Sequence, residues 1–430
     1  MRVLMFGWEF PPHIAGGLGT ACEGIVKGLA HNGVETIFVM PAASGDEDQS
    51  CATILNASDV EVQHASDTVE EFLDKVKFIN VDSNIVPYVD PDEYFEAIEK
   101  MKREQVGKTT VGFGQKFKFS GKYGANLLDE VARYAQVGGT IAMQHAGEFD
   151  VIHAHDWLTY LAGIAAKELS GKPLVVHVHA TSFDRGSDDM VDTRVYAIER
   201  RGMEAADRVV TVSDLTRNIV INKYGIDPAK VVTVHNAVDF SGRENLTVER
   251  GVKDKVVTFL GRITFQKGPE YFIEAAAKVL KRTRNVRFVM AGSGDMMQRA
   301  IRQVARLGIS DRFHFTGFLR GQEVQKMFAL SDVYIMPSVS EPFGISPLEA
   351  MRSNVPSIIS HQSGAAEVLK YALKVDFWDV DAMANDIYAL LQYPALADFA
   401  NRQGFDEVNA LKWNNATAKL KKVYESVVNQ

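Results

Sequence analysis

The chain has 430 residues, a formal net charge of −8 and two cysteines. Hydrophobic residues make up 46% of it and charged residues 24%, which excludes a disordered or collagen-like protein. The negative charge argues against nucleic acid as the main partner, and no apolar run approaches the ~20 residues of a membrane span. Because so few cysteines imply no disulfide framework and suit a reducing compartment, a cytoplasmic location is expected.

Short β-branched runs alternate with amphipathic stretches along most of the chain, which predicts βαβ units on parallel sheets. The strands expected in the first half are Val3–Phe6, Thr36–Met40, Val151–Ala154, Leu174–Val178, Arg208–Val212 and Val231–Val234. Those expected in the second half are Val256–Leu260, Arg287–Ala291, His314–Thr316, Val333–Met336, Ser357–Ser360 and Leu373–Val375.

The length predicts two domains, since single cores stop growing at roughly 250–300 residues. The polar stretch from Asp239 to Lys255 is the expected linker. It separates an N-terminal domain, residues 1–240, from a C-terminal domain, residues 241–405, and residues 406–430 are expected to form a helix that packs back on the first domain. The predicted fold class is α/β, with two doubly wound Rossmann-like domains facing each other across a cleft, because open sheets bind ligands beyond the carboxyl ends of their strands.

An insertion in the first domain is expected at about residues 44–125. Its first part, from Ser44 to Val76, has nine acidic residues against one lysine. Such a balance is typical of a solvated surface.

A glycine-rich segment follows the first predicted strand. Gly16, Gly17 and Gly19 precede a predicted helix, where bare backbone amides suit an anion or a sugar hydroxyl. A tight turn explains the glycines equally well. The segment is not the dinucleotide fingerprint, because Cys22 stands at the third glycine position.

Histidines cluster at the ends of two predicted strands, the edge where open α/β sheets bind ligands. His153, His155 and Asp156 end one strand, and His177 and His179 end the next along the chain. At least one of the first two histidines is expected to be structural, and the sequence indicates no third ligand for a metal. Asp156 either meets a ligand or caps the following helix, and His179 is preferred over His177 as the cleft residue.

Two cations follow the strand Val256–Leu260. Arg262 lies just past the strand and Lys267 enters the next helix, so both can converge on one phosphate group. Arginine supplies a bidentate fork and lysine a point charge. A solvated surface pair is the weaker alternative, because glycines flank the segment on both sides.

Two glutamates follow the strand Val333–Met336. Ser346, Pro347 and Glu349 predict an N-cap, an N1 proline and a capping box. Glu341 has no such structural role. It lies in a Gly/Pro loop, where a carboxylate can meet a polar substrate whose phosphates bind at the helix N-terminus.

Three acidic triplets, each with two aspartates separated by one residue, are candidate metal ligands. None directly ends a core strand, so no metal or cofactor is expected. The triplets are Asp46/Asp48, Asp90/Asp92 and Asp379/Asp381.

Together these segments resemble the retaining nucleotide-sugar glycosyltransferases of the GT-B fold, with glycogen and starch synthases and a large related family as the nearest group. The most specific motifs are Gly261-Arg262 with Lys267, and Glu341 followed eight positions later by Glu349. The turn that begins at Asn236 is similar to the family's Asn-Gly-Val/Ile-Asp, with alanine for the usual glycine. The glycine-rich segment after the first strand departs from the family's Lys-Thr-Gly-Gly motif, since Ile14-Ala15 precede Gly16 and Gly17.

The resemblance implies roles on the donor side. Arg262 and Lys267 would bind the diphosphate of a nucleotide sugar, and Glu349 its ribose. Backbone amides would come from Gly344, Ile345 and Ser346.

It also implies a sugar pocket. Glu341 would hold the transferred sugar, and His179, Asp156 and Asn236 would line the pocket. Gly16 and Gly17 would approach from the first domain. The expected catalytic set is Glu341, His179, Asp156, Arg262 and Lys267.

The implied activity is retaining, metal-independent transfer of glucose from ADP- or UDP-glucose to the non-reducing end of an α-1,4-glucan. A relative using another sugar, or a lipid, protein or small-molecule acceptor, is the near alternative. A sugar-nucleotide epimerase, a phosphorylase and a non-catalytic glucan-binding protein are the alternatives of other classes. A phosphorylase needs a lysine-bound pyridoxal phosphate, for which no segment argues.

Overall fold

The computed structural model describes residues 1–13, 16–76, 114–124, 126–186, 191–238 and 248–429. The chain divides into two compact units. The first comprises Met1–Phe183, Asp188–Ala237 and Trp413–Gln430, and the second comprises Asp184–Ser187 and Val238–Lys412. Most of the predicted linker, residues 239–247, lies outside the described residues, as do Asp90 and Asp92.

The first unit contains a seven-stranded parallel sheet in the order β3-β2-β1-β4-β5-β6-β7. Its strands are β1 Arg2–Phe6, β2 Glu35–Met40, β3 Thr53–Asn56, β4 Val151–His155, β5 Leu174–Val178, β6 Arg208–Thr211 and β7 Val231–Thr233. The helices up to Tyr224 are α1 Gly17–His31, α2 Asp67–Val76, α3 Leu127–Gln144, α4 Trp157–Ser170, α5 Ser182–Arg185, α6 Thr193–Ala205 and α7 Asp214–Tyr224.

The second unit contains a six-stranded parallel sheet in the order β10-β9-β8-β11-β12-β13. Its strands are β8 Lys255–Leu260, β9 Val286–Ala291, β10 Phe313–Gly317, β11 Val333–Met336, β12 Ser357–Ser360 and β13 Leu373–Val375. The helices that follow β8 are α8 Pro269–Leu280, α9 Met297–Arg306, α10 Gln322–Leu330, α11 Ser346–Arg352, α12 Ala365–Val368, α13 Val380–Gln392 and α14 Pro394–Ala410, and α15 Trp413–Val428 ends the chain.

Every predicted strand is present, with each end within one residue of the expected position. The central strands β4 and β5 are buried at every residue, because helices cover both faces of a parallel sheet. Sequence analysis missed β3, which lies in the acidic segment Ser44–Val76 and pairs with β2 at the sheet edge. Part of the segment expected as a surface insertion is therefore a sheet strand. Its four residues are half-buried or exposed, so they show no continuous apolar run.

The last helix, α15, packs on α1 within the first unit. Gly24 makes this close approach possible, since a Cβ there would lie 2.1 Å from Nε1 of Trp413. The Asn32 amide donates to the Thr417 hydroxyl at 2.9 Å. The first unit resumes at Trp413, so the boundary lies a few residues beyond the expected position 406.

In each sheet the strand order reverses at one point. β1 lies between β2 and β4, and β8 lies between β9 and β11. At such a switch point the loops after the two strands diverge to opposite faces and open a crevice at the carboxyl edge. The predicted functional residues follow β1, β4 and β5 in the first unit, and β8 and β11 in the second. Within the described residues, no helix is long and apolar enough to cross a membrane.

Candidate functional site

The loop after β8, which carries Arg262 and Lys267, is held by backbone contacts. Gly268 has φ +63°, and a Cβ there would lie 2.2 Å from the carbonyl oxygen of Pro337, in the loop after β11. The Ile263 amide donates to a carbonyl after β9 at 2.8 Å. A side chain at position 268 would therefore separate the two loops that meet at the switch point.

Lys267 and Glu341 form an ion pair across this switch point, from Nζ to Oε2. Their side chains are 19% and 9% exposed, so the pair is largely shielded from water. The Glu341 backbone is fixed, since its amide donates to Gln362 and its carbonyl accepts from Gly364, both at 2.9 Å. The two residues for which the sequence implied separate roles are thus in direct contact.

Arg262 is positioned by a residue that sequence analysis did not single out. Its Nη2 donates to Oε1 of Gln266 at 2.8 Å. Gln266 is buried, and its carbonyl accepts from Val339 in the loop after β11 at 2.9 Å. Because the sequence shows only an ordinary polar residue between two cations, nothing there signalled this role.

The start of α11 differs from the expected capping box. Ile345 holds the N-cap position, no side chain caps the helix, and Ser346 is its first residue. The predicted N-cap is therefore wrong. The helix begins one residue earlier than expected, two residues after Gly344, whose φ of +94° turns the chain just before it. Burial raises the pKa of Tyr334 in β11, and its hydroxyl donates to the Leu260 carbonyl at 3.4 Å.

At the glycine-rich start of α1, one backbone amide already has a side-chain partner. Gly16 is the N-cap and Gly17 the first helical residue. The buried carboxylate of Glu9 accepts a hydrogen bond from the Gly19 amide at 3.0 Å. Because a carboxylate already lies at this positive helix end, a second anion there is disfavoured and a neutral hydroxyl is not. Glu9 was missed because a single acidic residue before two prolines carries no motif.

The four histidines of β4 and β5 lie together. His155 Nδ1 and His179 Nε2 are 2.9 Å apart, and the Tyr424 hydroxyl of α15 is 2.7 Å from His153 Nδ1. The expectation that one of His153 and His155 is structural is confirmed at His153. His177 also lies beside both of them, which the sequence did not indicate.

These imidazoles are neutral at physiological pH. Desolvation lowers the pKa of His179 to about 3, although its side chain is only half-buried. Burial, and then the neighbouring histidines, holds the pKa values of His153, His155 and His177 well below 6.5. A neutral imidazole can both donate and accept a hydrogen bond.

Asp156 joins the ends of β4 and β5. Its carboxylate accepts from the amides of His179 at 2.7 Å and Ala180 at 3.3 Å. It holds the N-cap position of α4, yet its side chain makes no capping hydrogen bond, so the capping alternative is wrong. Its φ of +57° is unusual for a residue other than glycine, and such strained positions cluster at functional sites.

Asn236 ends the first unit with an unsatisfied acceptor. The residue is 7% exposed, and its Oδ1 has no hydrogen-bond partner within the described residues. A buried carbonyl oxygen is costly to leave unpaired. This oxygen is a candidate acceptor for a ligand hydroxyl.

The acidic triplets have partners elsewhere in the chain. Asp46 contacts His13 at 2.9 Å, and Asp48 accepts from the Ser50 amide at 2.9 Å. Asp379 caps α13, and Asp381 pairs with Lys278 at 2.5 Å. Asp90 and Asp92 lie outside the described residues.

A chain with two doubly wound parallel sheets, each with charged residues at its switch point, has the architecture of the GT-B glycosyltransferases. Residues 245–404 match the model of the family described as glycosyl transferases group 1, and residues 120–241 match that of glycosyltransferase family 4. The chain is a glycosyltransferase of the GT-B fold. The two predicted Rossmann-like domains and the predicted enzyme class are confirmed.

Similar proteins span almost the whole chain. An uncharacterized glycosyltransferase of Methanocaldococcus jannaschii is 27% identical and covers 99% of this chain and 98% of its own length. A glycogen synthase of Mycobacterium tuberculosis is 23% identical, with coverage of 99% and 94%. A D-inositol 3-phosphate glycosyltransferase of Catenulispora acidiphila is 28% identical over 66% of this chain and 72% of its own length. Anabaena HepE, solved with UDP and glucose, shares the fold with a TM-score of 0.65 at 15% identity, covering 99% of this chain and all 100% of that one.

Proposed function

We propose that the protein is a retaining glucosyltransferase that moves glucose from ADP- or UDP-glucose to the non-reducing end of an α-1,4-glucan. The observation that carries the proposal is the Lys267–Glu341 pair at the switch point of the second sheet. It combines a cation for the diphosphate and a carboxylate for the sugar in one fixed arrangement. The M. tuberculosis glycogen synthase supports the choice of acceptor because its similarity extends over 99% of the chain.

On the donor side, the chemistry depends on stabilising the charge of the leaving group. When the bond from the sugar's C1 to the diphosphate breaks, negative charge develops on the nucleoside diphosphate. The Lys267 ammonium has three donors, so one directed at Glu341 leaves two for diphosphate oxygens. Arg262, oriented by Gln266, adds a second cation. These cations take the place of a divalent metal. The proposed donor site is completed by the Glu349 carboxylate and by the backbone amides of Gly344, Ile345 and Ser346.

On the sugar side, the neutral state of His179 matters. Glycosyl transfer passes through an oxocarbenium-like state with positive charge near C1. A neutral imidazole can hydrogen-bond a sugar hydroxyl without opposing that charge. The Asp156 carboxylate accepts a hydrogen bond from the backbone amide of His179. Because Nε2 of His179 already hydrogen-bonds His155, Nδ1 of His179 is the atom assigned to the sugar. Asn236 is assigned to a further hydroxyl through its buried Oδ1.

The Glu9 carboxylate favours a neutral acceptor. It lies at the N-terminus of α1, beside the Gly16 and Gly17 amides assigned to the acceptor side. The related inositol-phosphate enzyme of C. acidiphila suggests a phosphorylated small molecule as the second candidate. A carboxylate at this helix end opposes the charge of a phosphate but not a neutral glucan hydroxyl. The two free cysteines, Cys22 and Cys51, agree with a cytoplasmic setting.

The test is nucleotide release by the purified full chain, supplied with ADP-glucose or UDP-glucose, with and without glycogen. We expect glycogen-dependent release with one of the two donors and elongation of the glucan. New linkages that an α-1,4-specific amylase cleaves would establish retention. Release that glycogen does not stimulate, together with faster release on an inositol phosphate, would favour the second candidate. An Arg262→Ala, Lys267→Ala double variant is the control for contaminating activity.

A further inference from the structure

The buried histidines of β4 and β5 form a second constellation, separate from the donor residues. His153 and His155 alternate along β4, so both lie on one face of the sheet, and His177 pairs in register with His155. Each of the three has one ring nitrogen within 4.8 Å of the corresponding atoms of the other two. All three side chains are 0–1% exposed.

Most ring nitrogens of this cluster lack a hydrogen-bond partner among the residues that the structure describes. Within the described residues, no hydrogen-bond partner exists for Nε2 of His153, Nε2 of His155 or either ring nitrogen of His177. Buried polar atoms in folded proteins are nearly always satisfied, and an unpaired group in a native structure often marks a water or an ion. Four unpaired nitrogens on three adjacent rings, with one nitrogen of each ring within 4.8 Å of the others, indicate a ligand that accepts several lone pairs at once.

The outer hydrogen bonds set the tautomers that a metal requires. If Nε2 of His153 and His155 coordinate, the proton of each ring sits on Nδ1. His153 Nδ1–H then donates to the Tyr424 hydroxyl at 2.7 Å, and His155 Nδ1–H donates to His179 at 2.9 Å. Metal-bound histidines almost always donate their second N–H in this way. Partners that orient two of the three ligands, His153 and His155, are thus already present.

We infer that His153, His155 and His177 form a binding site for a divalent transition-metal ion of the zinc class. Neutral imidazoles suit zinc, copper and nickel, whereas magnesium and calcium prefer oxygen ligands. Zinc–nitrogen distances of about 2.0–2.1 Å require the three rings to move closer together when the ion binds. Two buried carboxylates of the first unit, Glu9 and Asp156, both raise the pKa of buried Cys22 and so add negative charge to the same interior.

The ion would join β4, β5 and the last helix. Tyr424 lies on α15 and contacts the cluster at His153. The inferred role is therefore structural: the metal fixes the sheet edge that carries His179 and the docking of α15. The inference does not depend on the donor, the acceptor or the proposed glucosyl transfer.

The experiment uses the full chain, purified through a tag without histidine and dialysed against metal-free buffer. Zinc content is measured by mass spectrometry, and Co²⁺ is then added to the metal-depleted chain, where a tetrahedral nitrogen site gives intense visible absorption. We expect about one zinc per chain and the cobalt bands in wild type. His177→Gln should lose both. His145→Gln is the matched control, since His145 lies on the same unit but outside the cluster, and it should retain both.

A variant that keeps all three ligands guards against a folding defect. Tyr424→Phe removes only the hydrogen bond to His153, so zinc affinity should fall 10- to 100-fold, the usual effect of losing such a partner. Wild type without zinc and without cobalt bands would overturn the inference. Equal loss in His145→Gln and His177→Gln would do the same, as would a crystal structure grown with zinc that shows only water on these nitrogens.

Discussion

Lys267 and Glu341 are 74 positions apart in the chain, yet the ammonium of one contacts the carboxylate of the other. Each follows a strand of the second sheet, β8 and β11, which are neighbours only because the strand order reverses between them. The contact therefore depends on topology. It also means that neither residue can be changed without altering the electrostatic environment of its partner.

Replacing Lys267 should affect stability as well as catalysis. Lys267→Ala leaves a largely buried carboxylate without its ion pair, which we expect to cost roughly 1–3 kcal/mol of unfolding free energy. Glu341→Gln in the same chain should restore part of that loss. Chemical denaturation of the two single variants and the double variant gives the coupling energy. Strict additivity would show that the pair contributes nothing to folding.

Arg262→Ala should impair catalysis with little effect on folding. Arg262 is half-buried, and its guanidinium donates to the neutral side-chain amide of Gln266, so we expect its removal to cost little folding free energy. If Arg262 stabilises the departing diphosphate, kcat/KM should fall by the equivalent of about 2–4 kcal/mol. Steady-state nucleotide release measures the effect, and the melting temperature is the control. Wild-type turnover by Arg262→Ala would show that Arg262 is not part of the donor site.

Glu341→Gln and Glu349→Gln should have different kinetic signatures. Because no capping box forms, Glu349→Gln should leave α11 intact and mainly weaken nucleotide binding. Glu341→Gln removes charge beside the sugar, so kcat should fall much more than donor affinity. Calorimetric titration with the nucleoside diphosphate, together with kcat, separates the two effects. The opposite pattern would exchange the roles assigned to these glutamates.

Glu9→Gln should relax the discrimination against anionic acceptors. Glutamine can still accept the Gly19 hydrogen bond, but the charge at the start of α1 is lost. We expect a phosphorylated malto-oligosaccharide to bind about 2- to 5-fold more tightly relative to the neutral one, the usual size of a charge effect at a helix end. Competition assays at low and high salt provide the measurement. No change in this ratio at low salt would place the acceptor away from Glu9.

Glucosyl transfer should not need a loosely bound divalent metal. Two cations of the second unit, Arg262 and Lys267, are proposed to carry out that role. Activity assayed within minutes of adding EDTA should stay near its starting value, and added Mg²⁺ should change it less than about threefold. A buried imidazole site would release its ion far more slowly, and measuring zinc in the same sample keeps the two questions apart. Prompt loss of activity, reversed by Mg²⁺, would contradict the proposed donor chemistry.

Periodicity was enough to predict two doubly wound sheets and twelve of the thirteen strands found in the described residues, and the resemblance of the strand-end motifs to a known family predicted a glycosyltransferase. Local patterns carry this information, because a buried parallel strand must be apolar and a strand's carboxyl end must carry the ligand-binding residues. The missed strand, β3, is an edge strand whose partly exposed residues lack such a pattern.

The contacts that define the chemistry could be identified only from the tertiary structure. The Glu9 carboxylate on the Gly19 amide, the Lys267 ammonium on the Glu341 carboxylate, and His177 beside His153 all join residues whose pairing no local motif encodes. Strand order decides which loops meet at a switch point, and side-chain direction decides which polar atom reaches which partner. Neither follows from the spacing of residues along the chain. The sequence therefore determined where functional groups could gather, and the packing of the sheets and helices decided which of them bond to each other.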